Sequence, residues 1–384
     1  MYLLSTTIAL TICSHVAALA PPKASVAPVL GVAAPALPMK AFDTAKFARP
    51  LTLMDAVLGA NASVNDIHDN IAQIKRLMPT LQLPNTTSVQ SRDLESELVQ
   101  FEKRQSTCSN PRVRYEWDSL STPDKQAFVD GIKCLMRRPS GDPRKFSGSK
   151  NRYEDLVVLH QSMTPQVHGN ALFLMWHRYL LWTFEDMLRS ECNYGNRAIP
   201  WFNEANWSGR FQQSSVFSSQ WFGTMMAGGR CVDNGQFRML ACNIGPGTRN
   251  QRHCLSRNGD ESKTANTRQS ITDACNARAS YADMAACTEG GAHAWGHNGI
   301  GAVMQDVFGS PSDPVFYLHH AYVDRNLRLW QDRGQGRTSS VNGNDGTGRP
   351  LSMDTTLTMN GIRNDARIRD VLNTQSTLLC YRYV

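Results

Sequence analysis

The sequence predicts a mainly α-helical fold with long disulfide-bearing loops, and three observations carry that expectation. Apolar residues recur at helical spacing in RYLLWTFEDMLRS (178–190) and in SDPVFYLHHAYVDRNLRLW (312–330). Beyond residue 104 there are eight histidines, and seven of them fall in two tight regions, 160–177 and 293–320. Cysteines gather in polar, Gly-rich connections, the longest being CVDNGQFRMLACNIGPGTRNQRHC (231–254). A chain of 384 residues that is 41% hydrophobic has ample material for a packed core, so disorder throughout is excluded. Its 40 basic and 33 acidic residues give a formal charge of +7 without a dense Lys/Arg block, which argues against a nucleic-acid partner.

The first element in chain order is MYLLSTTIALTICSHVAALA, residues 1–20. It has the apolar run and small terminal residues of a secretory signal peptide, without a basic residue before the run and with Pro21-Pro22 after it. Nothing later is apolar for long enough to span a bilayer, so no membrane role is expected. Residues 21–104 read as a propeptide: rich in Ala, Pro and Val at first, then carrying the periodic pieces LTLMDAVLGA and IAQIKRLMPTLQL. The dibasic pair Lys103-Arg104 marks a cut that leaves a body of residues 105–384, secreted and extracellular. That body keeps nine cysteines, an odd number, so one stays outside intrachain pairing. Asn206-Trp207-Ser208 is a glycosylation acceptor pattern, as are the sites at Asn61 and Asn85 in the leader.

The body histidines give the chain its chemistry. YEDLVVLH ends at His160, QSMTPQVH at His168, and GNALFLMWH at His177, near the start of a core helix. A loop containing Thr164, Pro165 and Gly169 is expected to turn His168 back towards both neighbours. In the second region HAWGH sets His293 and His297 four apart on one helical face, and His319 and His320 open a further amphipathic helix. The glutamate of a zinc-protease HExxH motif is missing, since Ala294 and Trp295 stand between the histidines. Neutral imidazoles suit copper, zinc, iron and nickel, so the spacing indicates a metal centre without naming the metal, and it leaves His319 and His320 as alternatives. His253 has no companion and reads as structural; Phe184 and Trp330 read as core.

FLMWHRYLLWTFEDML and DPVFYLHHAYVDRNLRLW, in that order, resemble the coupled binuclear copper family of tyrosinases, catechol oxidases and haemocyanins, above all the short secreted fungal polyphenol oxidases. The resemblance covers residues 105–384. It implies a central four-helix bundle holding two copper ions, His160, His168 and His177 on one and His293, His297 and His320 on the other, with His319 in support. It further implies that Asp324 orients a ligand ring and that Arg325 anchors that carboxylate. The implied reaction is oxidation of ortho-diphenols to ortho-quinones while O2 becomes water, on small phenolic substrates. Hydroxylation of monophenols, oxidation of ortho-aminophenols, and a nonenzymatic oxygen-binding or structural role are the alternatives.

Several positions depart from the family pattern. In related tyrosinases an Asn directly after the first histidine of the second triad, acting with a carboxylate and a water, accompanies monophenol hydroxylation; here the position is Ala294. Asn298 and Glu289 are candidates for a different water-ordering pair. Val307 is the candidate for a side chain over the second copper, with Phe308 beside it as a gate to an aromatic-accepting pocket. Gln166 stands where some fungal relatives carry a cysteine bonded to the second histidine, so that crosslink is not expected.

Overall fold

The structure, a computed structural model, describes residues 108–384. The expected signal peptide (1–20), the expected propeptide (21–104) and the Lys103-Arg104 cut lie outside the described residues. In chain order the elements are β1 (Arg112–Arg114), α1 (Thr122–Arg137), α2 (Arg152–Val167), α3 (Phe173–Cys192), β2 (Ala241–Cys242), β3 (His253–Cys254), α4 (Gln269–Asn276), α5 (Tyr281–Thr288), α6 (Ala294–Ile300), α7 (Val315–Asp332), β4 (Thr356–Leu357), β5 (Ala366–Arg367) and β6 (Tyr381–Tyr383). Short 3₁₀ and α turns fill the long connections. The fold is mainly helical, and α2, α3, α6 and α7 form the central four-helix bundle that carries the histidines.

Local chemistry sets where these helices begin and end. Ser121 caps α1 by accepting from the Asp124 amide, and Asn151 caps α2 by accepting from the Glu154 amide. The run α3 ends on Asn193 at φ 52°, a left-handed stop that asparagine tolerates. The helix α2 differs from the sequence expectation at its end: Thr164 and Pro165 lie inside it rather than in a loop, and His168 is its C-cap. Pro165 forfeits one backbone bond in that last turn, and the Thr164 hydroxyl adds a 2.7 Å bond to the His160 carbonyl. Packing between α3 and α7 is aromatic at its centre, where Phe184 and Tyr317 stack with both rings out of solvent. Phe184 and Trp330 are core residues, as expected.

A buried charge cluster joins the chain ends to the bundle. The strands β1 and β6 pair in parallel, Arg114 opposite Tyr383, and Cys108–Cys380 closes the same seam. Arg114 is fully buried; its Nε donates to Glu185 of α3 at 2.8 Å and its guanidinium lies 3.6 Å above the Tyr381 ring. Asp324 of α7 accepts from Arg178 Nε at 2.5 Å on one oxygen, and from Tyr381 and Tyr383 hydroxyls at 2.5 and 2.6 Å on the other. This corrects the roles expected for Asp324 and Arg325. The Asp324 carboxylate holds Arg178 and the C-terminal tyrosines rather than a histidine ring, and Arg325 does not anchor it but stacks on Trp201, 4.2 Å from the ring centre. Helix geometry is the cause: Asp324 is one turn beyond His320, level with Arg178, which follows His177.

Four disulfides occur among the described residues: Cys108–Cys380, Cys134–Cys192, Cys231–Cys254 and Cys275–Cys287. Cys242 is the buried free thiol among them, matching the odd count. Cys231–Cys254 staples the long connection as expected, while Cys134–Cys192 ties α1 to α3 and Cys275–Cys287 ties α4 to α5 rather than closing a loop. Asn206 is exposed, as an acceptor must be, and no helix of the described residues is long and apolar enough to cross a membrane.

Replacing Asp324 by Ala strands the buried Arg178 guanidinium without its counter-charge and leaves the Tyr381 hydroxyl without its acceptor. The expected loss is about 3–5 kcal/mol of unfolding free energy, measured by equilibrium denaturation.

Candidate metal centre

Two helices bring the first cluster together. His160 comes from the middle of α2, His168 from its C-cap and His177 from the first turns of α3. His160 Nε2 lies 3.3 Å from His168 Nε2 and 3.4 Å from His177 Nε2, so three ring nitrogens converge on one point. The opposite nitrogens are all held. His160 Nδ1 faces the Phe308 carbonyl at 3.1 Å, His177 Nδ1 the Phe173 carbonyl at 2.8 Å, and His168 Nδ1 the Glu289 carboxylate at 2.9 Å. A donor's far N–H held in this way fixes both ring orientation and tautomer, leaving Nε2 as the free lone pair.

The second cluster forms where a π-helical turn, Glu289–His293, runs into α6. Gly291 breaks the helical path at φ −94°, ψ −120°, and such insertions re-aim side chains at functional sites. His293 Nδ1 faces the Glu289 carbonyl at 3.1 Å and His297 Nδ1 the Met304 carbonyl at 2.6 Å. From α7, His320 Nε2 stands 3.2 Å from His297 Nε2, and its ring stacks on His177 with centroids 4.6 Å apart. His319 faces another way. Its Nδ1 is 2.5 Å from Glu204 Oε1, and both side chains are fully buried. The two groups that could hold a metal ion are therefore His160, His168, His177 and His293, His297, His319, His320, each with its donor atoms within 4.8 Å of one another.

The clusters touch. His168 and His293 rings are 6.0 Å apart and Phe173 lies 4.6 Å from His293, so both groups look into one shared space. Burial, then the neighbouring His168, push His160 down to about 3, against the opposing effect of the Phe308 carbonyl. Burial likewise brings His168 to about 3 and carries His177, His293, His297 and His320 well below the usual histidine range. Six imidazoles are thus neutral donors at neutral pH, and the buried His293 Nε2 has no protein partner. Such a donor set fits two soft-to-borderline metal ions and leaves no role for the rings as charged groups.

Other expected residues divide. Glu289 joins the centre, yet through His168 and the Gly169 amide (3.2 Å), not through Asn298. Asn298 is half-buried with its Oδ1 unpartnered, and Ala294 is buried. Val307 and Phe308 are half-buried; their carbonyls reach Thr164 and His160 beside the first cluster, and the Phe308 amide donates to Asp306. His253 lies in β3 with Nδ1 2.8 Å from the Gln251 carbonyl and takes no part. Glu204 was not singled out by the sequence, since NEANW has no spacing that links it to His319. The carbonyls of Phe173, Phe308 and Met304 carry no side-chain signal at all.

Residues 150–333 match the family described as the common central domain of tyrosinase. The tyrosinase ustQ of Aspergillus flavus is 30% identical over 295 residues, 72% of this chain and 80% of the relative. The chain belongs to the tyrosinase family. Tyrosinase P of Aspergillus terreus is 26% identical, spanning 72% of this chain and 93% of the relative. The N-acetyl-6-hydroxytryptophan oxidase ivoB of Emericella nidulans is 28% identical over 73% and 94%. The fold is that of a polyphenol oxidase from Thermothelomyces thermophila, solved as a mutant, with a TM-score of 0.66 at 21% identity, covering 84% of this chain and 97% of the other. As a tyrosinase-family oxidoreductase the protein takes two copper ions as cofactor, O2 as co-substrate and phenols as substrates.

The buried neutral histidines predict an acid-sensitive apo protein. Unfolded imidazoles titrate near ~6.5, whereas His160 and His168 do so at about 3 when folded, so the unfolded chain binds more protons between those limits. Their contribution to stability is complete above the unfolded value and is lost as pH falls towards about 3. Denaturant midpoints of the metal-free protein should fall steadily from pH 7 to pH 4.

Proposed function

We propose that the protein is an oxidase of ortho-diphenols, converting two ortho-diphenols and one O2 to two ortho-quinones and two waters. His160, His168 and His177 hold one copper in this reading, and His293, His297 and His320 the other. The observation that carries it is the convergence of these Nε2 atoms in a buried space, every assigned ring except His320 having its far nitrogen held by the fold. His320 is preferred to His319 because its Nε2 faces His297 while His319 is engaged with Glu204. When bound, the copper pair supplies the passage of electrons from phenol to O2.

The remaining chemistry belongs to the chain. Burial shields the rings of His160, His177, His293, His297 and His320 from water, and the Nδ1 tethers keep every assigned ring except His320 in the tautomer that presents Nε2. Monophenol hydroxylation asks in addition for a group that takes the phenolic proton. Ala294 offers no amide beside His293 to order a water, and Glu289 is committed to His168. Burial also pushes Glu289 well above the usual carboxylate range. Val307 and Phe308 are the candidate gate side chains. Secretion is part of the proposal, since four disulfides suit an oxidising compartment.

Relatives named tyrosinase favour a second reading with monophenol hydroxylation, and ortho-aminophenols share the geometry of the diphenols. Oxygen uptake by the copper-loaded protein decides between them: turnover of catechol with tyramine inert supports the proposal, whereas prompt tyramine turnover without a diphenol primer overturns it. Reversible oxygen binding with neither phenol consumed would point to an oxygen-binding protein. His177→Ala should bring copper content from two equivalents towards one and nearly abolish catechol oxidation, as read by metal analysis and an oxygen electrode. Glu289→Ala frees the His168 ring, and copper affinity should fall about 10–100-fold in chelator competition.

A further inference from the structure

His319 is a further, fully buried histidine at the centre, and its surroundings are built. The segment that supplies Glu204 is stitched to the start of α7 by the Phe202 amide, which donates to the Leu318 carbonyl at 3.2 Å. Thr267 holds the same segment from the other side, its hydroxyl donating to the Glu204 carbonyl at 3.1 Å. The Glu204 carboxylate therefore arrives in a fixed position and takes the Nδ1–H of His319 at 2.5 Å. Its second oxygen, Oε2, and His319 Nε2 are buried without protein partners.

What the pair touches is the backbone of α6. A Cβ on Gly296 would lie 2.5 Å from His319 Cε1, 2.7 Å from His319 Nδ1 and 2.9 Å from Glu204 Oε2. The pair thus fills the space that any side chain at position 296 would need. Gly296 sits between His293 and His297 in sequence, and the His319 ring lies 4.5 Å from the His297 ring, edge to face, and 5.3 Å from His293. Both rings of this segment that point at the centre rest on His319, which precedes His320 on α7.

We propose that Glu204 and His319 are positioning residues for the second copper, a hydrogen-bonded wedge between α6 and α7 that sets the distance at which His293 and His297 meet His320. This rests on the ligand reading given above. Hydrogen bonding to the carboxylate fixes the azimuth of the His319 ring, and the ring then fixes how closely α6 approaches. Among the described residues the histidine rings that lie against His319 are those of His293, His297 and His320, and none belongs to the first cluster. The wedge therefore acts on one metal and not on both.

The test is copper binding by the full chain, stripped and reloaded against a chelator of known affinity, with each equivalent resolved. Gly296→Ala and Glu204→Leu should weaken the second equivalent at least tenfold and leave the first as in the parent. Glu204→Gln should bind both equivalents almost as the parent does, because the amide oxygen accepts the same Nδ1–H. The wedge is refuted if Gly296→Ala binds both coppers normally, or if it loses both equivalents together with a general fall in apo melting temperature. It is equally refuted if Glu204→Gln behaves like Glu204→Leu. His293→Ala separates the two claims: retention of two equivalents there removes the ligand reading itself, whereas loss of one equivalent there beside normal Gly296→Ala binding removes the wedge alone. Should Glu204→Leu not fold, Gly296→Ala and Glu204→Gln decide the matter.

Discussion

Six imidazoles gathered inside a protein must stay uncharged and must not rotate, and the rest of the structure depends on meeting that constraint. An imidazole left to itself in the interior turns towards whatever acceptor is near. Here five of the six rings facing the shared space are pinned through Nδ1, four by backbone carbonyls and one by Glu289, so that Nε2 faces inward. The carbonyls of Phe173 and Glu289 lie one turn before the rings they hold, so α3 and the π-helical turn are themselves parts of the donor set. Burial supplies the remaining condition, neutrality, by penalising the imidazolium form.

Excluding charge from the centre concentrates it next door. One residue beyond His177 and one turn beyond His320 the bundle buries Arg178 and Asp324, joined to Arg114, Glu185 and the two C-terminal tyrosines. Burial alone raises the Asp324 carboxyl, but Arg178 and Arg114 bring it below the usual range, so the pair stays ionised. Such a cluster contributes less stability than apolar packing of the same volume would. What it adds is registry: the charges match only when α3 and α7 stand at one height, which is the height at which His177 and His320 stack.

The legible part of this arrangement is the part that repeats. Helical spacing of apolar residues located α3 and α7, and the clustering of His160, His168 and His177 apart from His293, His297, His319 and His320 announced two donor groups. Contacts between distant segments were not legible. The family resemblance gives Asp324 a ligand ring to orient, yet its partners come from α3 and β6, far away in the chain. Glu204 had no visible tie to His319, 115 residues away. Thr164-Pro165 has the sequence of a loop, since proline disfavours helix at the residue before it, and the packed end of α2 overrides that local preference.

The long connections make the same point about where a metal site ends. The carbonyls of Met304 and Phe308, which orient His297 and His160, belong to a segment with little regular structure between α6 and α7. That segment is held at its start by the Val303 amide on the Ser256 carbonyl, and at its end by a bidentate pair between Asp313 and the fully buried Arg257 at 2.7 and 2.8 Å. In the middle Asp306 accepts from the amides of Phe308 and Gly247 at 3.0 and 2.8 Å. Ser256, Arg257 and Gly247 all belong to, or directly follow, the cysteine-bearing insertion closed by Cys231–Cys254. An insertion that reads as padding therefore sets the position of two oxygen atoms on which both histidine clusters rely. Rigid helices aim the rings, and for His160 and His297 it is the stapled loops that stop them turning, so the disulfide-bearing loops and the copper-binding bundle are one structure.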